Sequence, residues 1–313
     1  MNAAFIFDVV LAALVLTIAT WIIAARDAFS AVVGFVAYGL LLALVWVELS
    51  AIDVALTEAA IGSGVTGMLL LGAASRLRKT EPTAVSVGLP MRLLAAVLCA
   101  LIAAALGSLV LFPPGTIFTL APDAMAHLPE TGLRNPVAGV LFVYRAFDTL
   151  LEKVVLVLAL VGVWSLTLDR FWGGIPGLPL FEQPNSVLTL LSQLLPPLGI
   201  VVGIYMFWTG ANNPGGAFQG GTVLAAMWIL VMIAGLQHMP STDRRMLRLL
   251  VVLGPAIFLV IGLLGFALAG SFLAYPPGYA KPLIIIAEAA LTVSIGVTLG
   301  LLAAGPPERM ARR

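Results

Sequence analysis

Residues 53–71 read DVALTEAAIGSGVTGMLLL, an apolar stretch that contains one acid within it, Glu58. A helix of about 20 mostly apolar residues is long enough to cross a bilayer core about 30 Å thick. Small residues follow the acid, namely Gly62, Ser63, Gly64, Thr66 and Gly67. Glycine this dense lets neighbouring helices approach closely and favours a local π-bulge or bend. The stretch therefore predicts a membrane-spanning helix that carries an acid within the bilayer.

The composition extends this prediction to the whole chain. Of 313 residues, 61% are hydrophobic and only 10% are charged, against roughly 25% charged in an ordinary soluble domain. The net charge of +1 provides no basic field for nucleic acid. A single cysteine, Cys99, excludes a disulfide framework, a thiolate zinc site and an iron–sulfur cluster. We predict no metal site, no catalytic residue and no cofactor.

Interruptions by charge, proline and glycine divide the chain into nine apolar segments. Their expected limits are 5–25, 29–47, 52–73, 92–112, 149–168, 187–208, 219–237, 247–270 and 281–303. The first segment lacks the basic region of a cleaved signal and is expected to be retained. The longest connection, 112–136, is predicted to be a surface loop that leads into a short amphipathic helix within 137–148.

The basic residues predict the orientation of these spans. On alternate sides of nine spans the 16 Lys and Arg residues divide 12 to 4, and the smaller set is Arg134, Arg145, Lys153 and Lys281. Because cytoplasmic loops carry the excess of basic residues, the N-terminus is predicted outside and the C-terminus in the cytoplasm. The expected fold is an all-α integral membrane protein with about nine transmembrane helices.

Two linkers rich in proline or glycine, 76–92 and 169–186, separate the spans into groups of three, two and four. The predicted domains are accordingly 1–80, 81–178 and 179–313.

Acids inside a bilayer cost a few kcal/mol or more when uncompensated, so each is a functional candidate. Glu58 is expected to face a protein or water-filled path, the alternative being an acid that snorkels to the outer interface. Glu288 lies seven residues after Lys281, two turns into the ninth span, and its alternative is a polar helix contact. Asp53 is expected near the outer end of its span, as are Asp8 and Glu48, at an interface or an ion entrance rather than in a site.

The fifth span begins with a cluster of charges. Arg145, Asp148 and Glu152 recur at i, i+3 and i+7 and are therefore expected on one helix face. A buried Arg145–Asp148 pair would leave Glu152, one turn deeper, able to exchange protons. Lys153 points about 100° away and could hold Glu152 ionised. The alternative is an interfacial helix whose charges all face water.

Between the sixth and seventh spans lies GANNPGGAFQGG, residues 210–221. Its glycines, proline and asparagines require a sharp connection with positive φ. The stretch follows no strand, so it does not fit a phosphate-binding loop. The candidate interface residues are Asn212, Pro214, Gly215, Gly216, Phe218, Gly220 and Gly221.

This stretch resembles the signature of the MnhB-type small subunit of Mrp-type multisubunit Na⁺/H⁺ antiporters. That family usually has His where this chain has Ala211, and Gly where it has Ala217. Residues 53–71 resemble the MbhD-type subunit of membrane-bound energy-converting hydrogenases, and residues 135–166 resemble the MbhE-type subunit of the same complexes. Both segments also resemble the C-terminal tail of the largest subunit of Mrp antiporters.

The resemblance implies a subunit of an Mrp-like monovalent cation (Na⁺)/proton antiporter complex, not an enzyme, in a bacterial or archaeal cytoplasmic membrane. Antiporter-like large subunits and small membrane subunits are the implied partners. In the related families the third helix carries a π-bulge, and acids at the positions of Glu58 and Glu152 line the proton or sodium route. Glu288 falls where the MnhB-type subunit usually has Asp.

Two alternatives to this function stay open. The first is an ion-translocating subunit of a redox-driven, complex I-like or hydrogenase-type complex, which needs iron–sulfur partners that this chain cannot supply. The second is a structural scaffold in which no acid titrates during transport.

Overall fold

The computed structural model describes residues 3–77, 88–113, 115, 118–177 and 186–310, and these residues are almost entirely helical. The helices of the first half are α1 Ala3–Ala24, α2 Ala28–Glu48, α3 Ile52–Thr57, α4 Thr66–Leu77, α5 Leu89–Leu111, α6 Ala121–His127 and α7 Pro136–Gly139. Those of the second half are α8 Ala146–Ser165, α9 Ser186–Thr209, α10 Ala217–Ile233, α11 Arg245–Ala269 and α12 Ala280–Ala304. Short 3₁₀ turns cover Leu128–Thr131 and Asp169–Phe171.

Within these ranges, two π-helical segments interrupt the α-helical pattern. The first, Glu58–Val65, joins α3 to α4, which confirms the π-bulge predicted from the glycine-rich stretch. The second, Val140–Tyr144, follows α7 and was not predicted. At Arg145 the backbone turns to φ −128° and ψ 34°, so the helix predicted within 137–148 is present but ends before α8 begins.

Each predicted span coincides with a helix, but two of these helices differ from the rest. Among the described residues, seven helices are long and apolar enough to cross a membrane. The other two are α8, which carries Asp148, Glu152 and Lys153 near its start, and α10, which has 17 residues. Charge in one case and length in the other separate them from the seven.

The last four helices form the most buried part of the chain. Helix α12 packs against α10 and α11, and α9 packs against α10. Ile284, Leu291 and Thr298 of α12 are fully buried. Glycines permit the close approach, since a Cβ at Gly254 would lie 2.8 Å from the Cβ of Ser294. Helix α8 packs on α11 and α12, and the first π segment packs on α10, so all three predicted domains meet there.

The N-terminal helices lie at the periphery. Helix α1 packs on α2 and buries only Leu11, and α5 buries none of its residues against the described chain. Most of the apolar surface of these two helices is thus available to lipid or to other proteins.

The two ends of the bundle differ in their connections. At one end, β1 (Ile175–Pro176) pairs with β2 (Pro307–Arg309), and the Thr242 N–H donates to the Gly174 carbonyl. At the other end lie residues 49–51, 118–135, 210–216 and 270–279, which we call the turn face.

Candidate functional site

A cavity of about 270 Å³ lies just below the turn face, between α3, α8, α10 and α12. We call it the central cavity. Its polar and charged lining consists of Asp53, Thr57, Thr149, Glu152, Lys153, Gln219 and Glu288. The sequence segments that resemble three different subunits therefore contribute side chains to one polar space.

Glu288 is the most deeply buried acid of this cavity, with 1% of its surface exposed. Its carboxyl group accepts a hydrogen bond from the backbone N–H of Ala217, at the start of α10. The positive end of the helix dipole favours a carboxylate there. Its Oε2 atom has no hydrogen-bond partner among the described residues. An unpaired buried oxygen is costly, so water in the adjacent cavity is its available partner.

Lys153 is the buried cation of the cavity. Its side chain is 4% exposed, and its Nζ atom lies 3.4 Å from Glu152 Oε1. The same Nζ lies 3.5 Å from the centre of the Phe218 ring, a distance at which a cation interacts with the ring electrons. Glu152 is half exposed, so this pair connects the cavity to the outer surface of α8.

The glycine-rich turn closes the cavity, and its geometry confirms the predicted sharp turn with positive φ. Gly215 and Gly216 have φ values of 145° and 140°. The Gly215 N–H donates to Asp53 Oδ1 at 2.9 Å, and Lys281 Nζ donates to Asn212 Oδ1 at 2.8 Å. A Cβ at Gly215 would lie 2.5 Å from the carbonyl oxygen of Met206, so the turn requires glycine at this position.

The turn forms its contacts inside the chain. A Cβ at Gly220 would lie 2.6 Å from the carbonyl oxygen of Gly203, and one at Gly221 would lie 2.8 Å from Ile295. Pro214 lines a second cavity on the turn face. The predicted interface residues thus hold α9, α10 and α12 together and position Phe218 over Lys153.

Both departures from the signature of the MnhB-type subunit are structurally accommodated. Ala211 is fully buried, and its carbonyl accepts the N–H groups of Arg134 at 3.0 Å and Asn135 at 3.2 Å. Ala217 supplies the N–H that binds Glu288.

The Arg145–Asp148 pair is present, but the prediction that it is buried is wrong for this chain. Arg145 Nε donates to Asp148 Oδ2 at 2.5 Å, and the two side chains are 71% and 53% exposed. Because α8 begins at Ala146, the pair lies at the helix end and faces a groove of about 840 Å³. Asp148 therefore does not contribute to the central cavity.

Glu58 also lies away from the central cavity, at the first residue of the π segment. Its carboxylate rests against Gly62 and faces α2, where a Cβ at Gly39 would lie 3.1 Å from Oε1. The neighbouring Ser63 Oγ is buried and has no partner among the described residues. Glu58 and Ser63 thus mark a second polar point, at the contact of the π segment with α2.

The remaining small residues of the π segment have lesser roles. A Cβ at Gly64 would lie 3.2 Å from the carbonyl oxygen of Ala59, while Thr66 begins α4.

Several residues of the cavity were not anticipated. Asp53, expected at an interface or ion entrance, is 9% exposed and lines the cavity. Gln219 Nε2 donates to Thr57 Oγ1 at 3.0 Å. The one-turn spacing of Asp53 and Thr57 is the signal that could have placed both on one helix face. No local pattern marks Asn135 as a residue of the site, because its contacts to Asp53 and to the turn form only on folding.

Tyr275, in the 270–279 loop, has a hydroxyl group that is buried and has no partner among the described residues. Burial raises the pKa of Tyr275, and the negative charge of Glu288 raises it further. The phenol therefore stays protonated at neutral pH and remains a hydrogen-bond donor.

These features define a multi-pass, all-helical protein of the cell membrane with a polar cavity between three chain segments. Residues 13–79 match the family MbhD, described as a subunit of MBH, and residues 187–304 match the domain related to the MnhB subunit of Na⁺/H⁺ antiporter. Over 162 residues the chain is 31% identical to an uncharacterized protein of Methanocaldococcus jannaschii. Over 120 residues it is 29% identical to a Staphylococcus aureus protein named as antiporter subunit mnhB2.

Two solved structures share the fold. The Mrp complex from Dietzia sp. DQ12-45-1b matches 97% of this chain with a TM-score of 0.74 and 24% identity. A chain of the archaeal membrane-bound sulfane sulfur reductase matches 69% of this chain with a TM-score of 0.57 and 25% identity. The sequence resemblance is thus confirmed for the MbhD-like segment and for the MnhB-related domain.

The matched proteins differ in length from this chain. The alignment with the Methanocaldococcus protein covers 47% of this chain and 62% of that protein. The alignment with the Staphylococcus protein covers 36% of this chain and 74% of that protein. The chain covers 35% of the matched Dietzia chain and 98% of the matched reductase chain.

Proposed function

We propose that this chain is a membrane subunit of an Mrp-like monovalent cation (Na⁺)/proton antiporter complex and contributes charged residues to the translocation path. The observation that carries the proposal is the central cavity, where Glu152, Lys153 and Glu288 converge from different segments. The MnhB-related match over 187–304 supports the antiporter class. In this role the chain is a transporter subunit rather than an enzyme.

The proposed architecture has nine spans, with the turn face outside and the C-terminus in the cytoplasm. Helices α8 and α10 complete the nine, since their positions alternate correctly between the seven apolar spans of the described chain. The proposed domains are 1–80, 81–178 and 179–313, joined at the central cavity.

The proposed partners are antiporter-like large subunits and small membrane subunits. In the Dietzia complex the matching fold occupies 35% of a longer chain, so the same fold occurs there beside further polypeptide. The uncovered faces of α1 and α5 are the surfaces that this role leaves for lipid and for neighbouring subunits.

Within the cavity, protons would move between Glu288 and the Glu152–Lys153 pair through water. Proton transfer requires groups within hydrogen-bond reach or connected by water. A cavity of about 270 Å³ has room for several waters, each of which takes about 30 Å³ in the liquid. Moving one charge across 100 mV provides about 2.3 kcal/mol to drive the exchange.

Glu58 and Asp148 enter the proposal from outside the cavity. Glu58 would carry protons at the contact of the π segment with α2, and Asp148, paired with Arg145, would lie at the groove on the turn face.

The experiment replaces Glu58 or Glu152 by Gln in the intact complex and measures Na⁺/H⁺ exchange in vesicles. Either substitution is expected to slow exchange at unchanged assembly, because an amide does not ionise. Glu48→Gln, at the exposed end of α2, is the matched control and should transport normally. Wild-type rates in both test variants would favour the scaffold role instead.

A redox-driven complex is the second candidate, because the matched chain of the sulfane sulfur reductase is covered over 98% of its length. Purification of the intact complex distinguishes the two. Iron–sulfur subunits that copurify would favour the redox complex, and a complex of membrane subunits alone would favour the antiporter.

A further inference from the structure

A second cavity opens on the turn face directly above the central cavity. Its volume is about 280 Å³, and we call it the outer cavity. Asp53, Val54 and Val137 line both cavities. The turn also continues from one to the other, since Pro214 lines the outer cavity and Gly215 the central one. A thin wall of one side-chain layer therefore separates them.

Hydrogen bonds to the glycine-rich turn hold this wall closed. Asp53 Oδ1 accepts the Gly215 N–H at 2.9 Å. Asn135 Nδ2 donates to the carbonyl oxygens of Gly210 and Asn213, both at 3.0 Å, and lies 3.4 Å from Asp53 Oδ1. Asn135 thus connects the turn to the carboxylate that binds it. We call Asp53, Asn135 and these bonds the latch.

The latch joins elements that can move relative to one another. Asp53 belongs to α3, directly before the π segment, and Asn135 caps the N-terminus of α7 by accepting the Val137 N–H at 2.9 Å. A π segment is an irregular stretch of helix that is frequent at functional sites. The turn itself depends on two glycines at positive φ, whose backbone adopts other conformations at low cost.

We propose that Asp53 and Asn135 form a gate between the turn face and the central cavity, so that water and small cations enter the cavity through the outer cavity when the latch opens. Asp53 and Arg134 both line the outer cavity, so its wall carries charges of both signs and presents no single-sign barrier. The use of the route for transport rests on the proposed function, whereas the opening itself does not.

The test measures thiol accessibility rather than transport. Cys99 is the chain's single cysteine and is exposed on α5, so a Cys99→Ser background removes it. Ile61→Cys then places one thiol on the central cavity, and Ile52→Cys places one on the outer cavity. A small, membrane-impermeant, cationic methanethiosulfonate is applied to the turn face of vesicles that contain the complex.

Asn135→Ser breaks the latch while keeping an oxygen that can cap α7, since Ser is a good N-cap residue. The Ile61→Cys thiol is expected to react about tenfold faster in this variant, the shift expected when a closed state loses a hydrogen bond to a charged group. The Ile52→Cys thiol should react at the same rate with and without the latch. Asp53→Ala is the second latch variant and should accelerate the Ile61→Cys reaction in the same way.

Equal Ile61→Cys rates in the intact and both broken-latch proteins, with Ile52→Cys reacting normally, would overturn the gate. A change in the Ile52→Cys rate would indicate a general loss of structure in that variant, and the other latch variant then decides. If instead the gate opens as expected but acid-to-amide variants transport normally, the gate stands and the proposed function fails.

Discussion

At the scale of single residues, the site depends on how two buried charges are compensated. Glu288 has one hydrogen bond from the start of α10 and one oxygen without a partner among the described residues, while Lys153 has the Glu152 carboxylate and the Phe218 ring. Incompletely paired charges of this kind are expensive in a membrane and usually mark function. The two therefore differ from the exposed Arg145–Asp148 pair, which is worth little to stability.

Lys153→Met is expected to abolish or strongly slow cation/proton exchange while the complex still assembles. Methionine retains an unbranched side chain against Phe218 but removes the charge, and replacing a buried ion-pair member by an apolar group of similar size limits the packing loss. Exchange in vesicles and the melting temperature of the purified complex would be measured together.

Lys281→Met is the matched control, because Lys281 binds Asn212 on the turn face and does not line the central cavity. Normal exchange in Lys153→Met, or an equal loss in both lysine variants, would argue against a specific role for the buried cation.

Only part of this site follows from the sequence. Glu152 and Glu288 stand out because acids are rare within apolar spans, and Lys153 because it is adjacent to one of them. Asp53 and Asn135 do not stand out, since an acid at a helix start and an Asn before a proline are ordinary surface features. Their burial results from contacts between residues 82 to 162 positions apart.

At the scale of elements, small residues determine how closely the helices approach. A Cβ at Gly39 of α2 would collide with Ser63 Oγ, whereas one at Gly72 of α4 would meet no atom of the described chain within 4 Å. The glycine-rich stretch of the third span predicted this packing and the π segment. It did not reveal the partner glycine, because that contact lies on another helix.

Gly39→Ala is expected to destabilise the complex by about 1–3 kcal/mol, the usual cost of overpacking a close contact. Gly72→Ala should be neutral or stabilising by up to about 1 kcal/mol, because alanine is the better helix former. Thermal unfolding of the two purified variants would show the difference. A lower melting temperature for Gly72→Ala than for Gly39→Ala would contradict the described contact.

The glycine-rich turn gives a second comparison at this scale. Gly215→Ala adds a Cβ 2.5 Å from the Met206 carbonyl oxygen at a φ of 145°, whereas Gly235 has a φ of 70° and no atom of the described residues within 4 Å of such a Cβ. Gly235→Ala should therefore cost only the left-handed strain of about 1–2 kcal/mol, and Gly215→Ala distinctly more. Melting temperatures test this, and equal losses would show that the turn is not tightly held.

At the scale of the whole molecule, nine helices of the described chain coincide with the nine predicted spans, although only seven meet simple criteria of length and composition. The two exceptions, α8 and α10, are helices that line the central cavity. Charge and shortness are what a cavity-lining helix shows when the rest of the bundle shields it from lipid. The apolar pattern alone therefore identifies the outer helices most clearly and the functional ones least.

The topology makes a direct prediction for single cysteines in the Cys99→Ser background. Glu130→Cys and Trp172→Cys bracket α8, and Asn213→Cys and Gln237→Cys bracket α10; all four positions are exposed. An impermeant thiol reagent should modify Glu130→Cys and Asn213→Cys only from outside, and the other two only from the cytoplasm. Modification of both members of a pair from the same side would show that the bracketed helix does not span.

The central claim is that a carboxylate in the central cavity carries protons, and Glu288 tests it most directly. Na⁺/H⁺ exchange would be measured in vesicles that contain the intact complex with Glu288→Gln or with Glu288→Asp, the shorter acid usual in the related subunits. We expect Gln to abolish exchange and Asp to retain most of it, with both complexes assembled. Wild-type exchange with Gln, or equal loss with both, would contradict the claim.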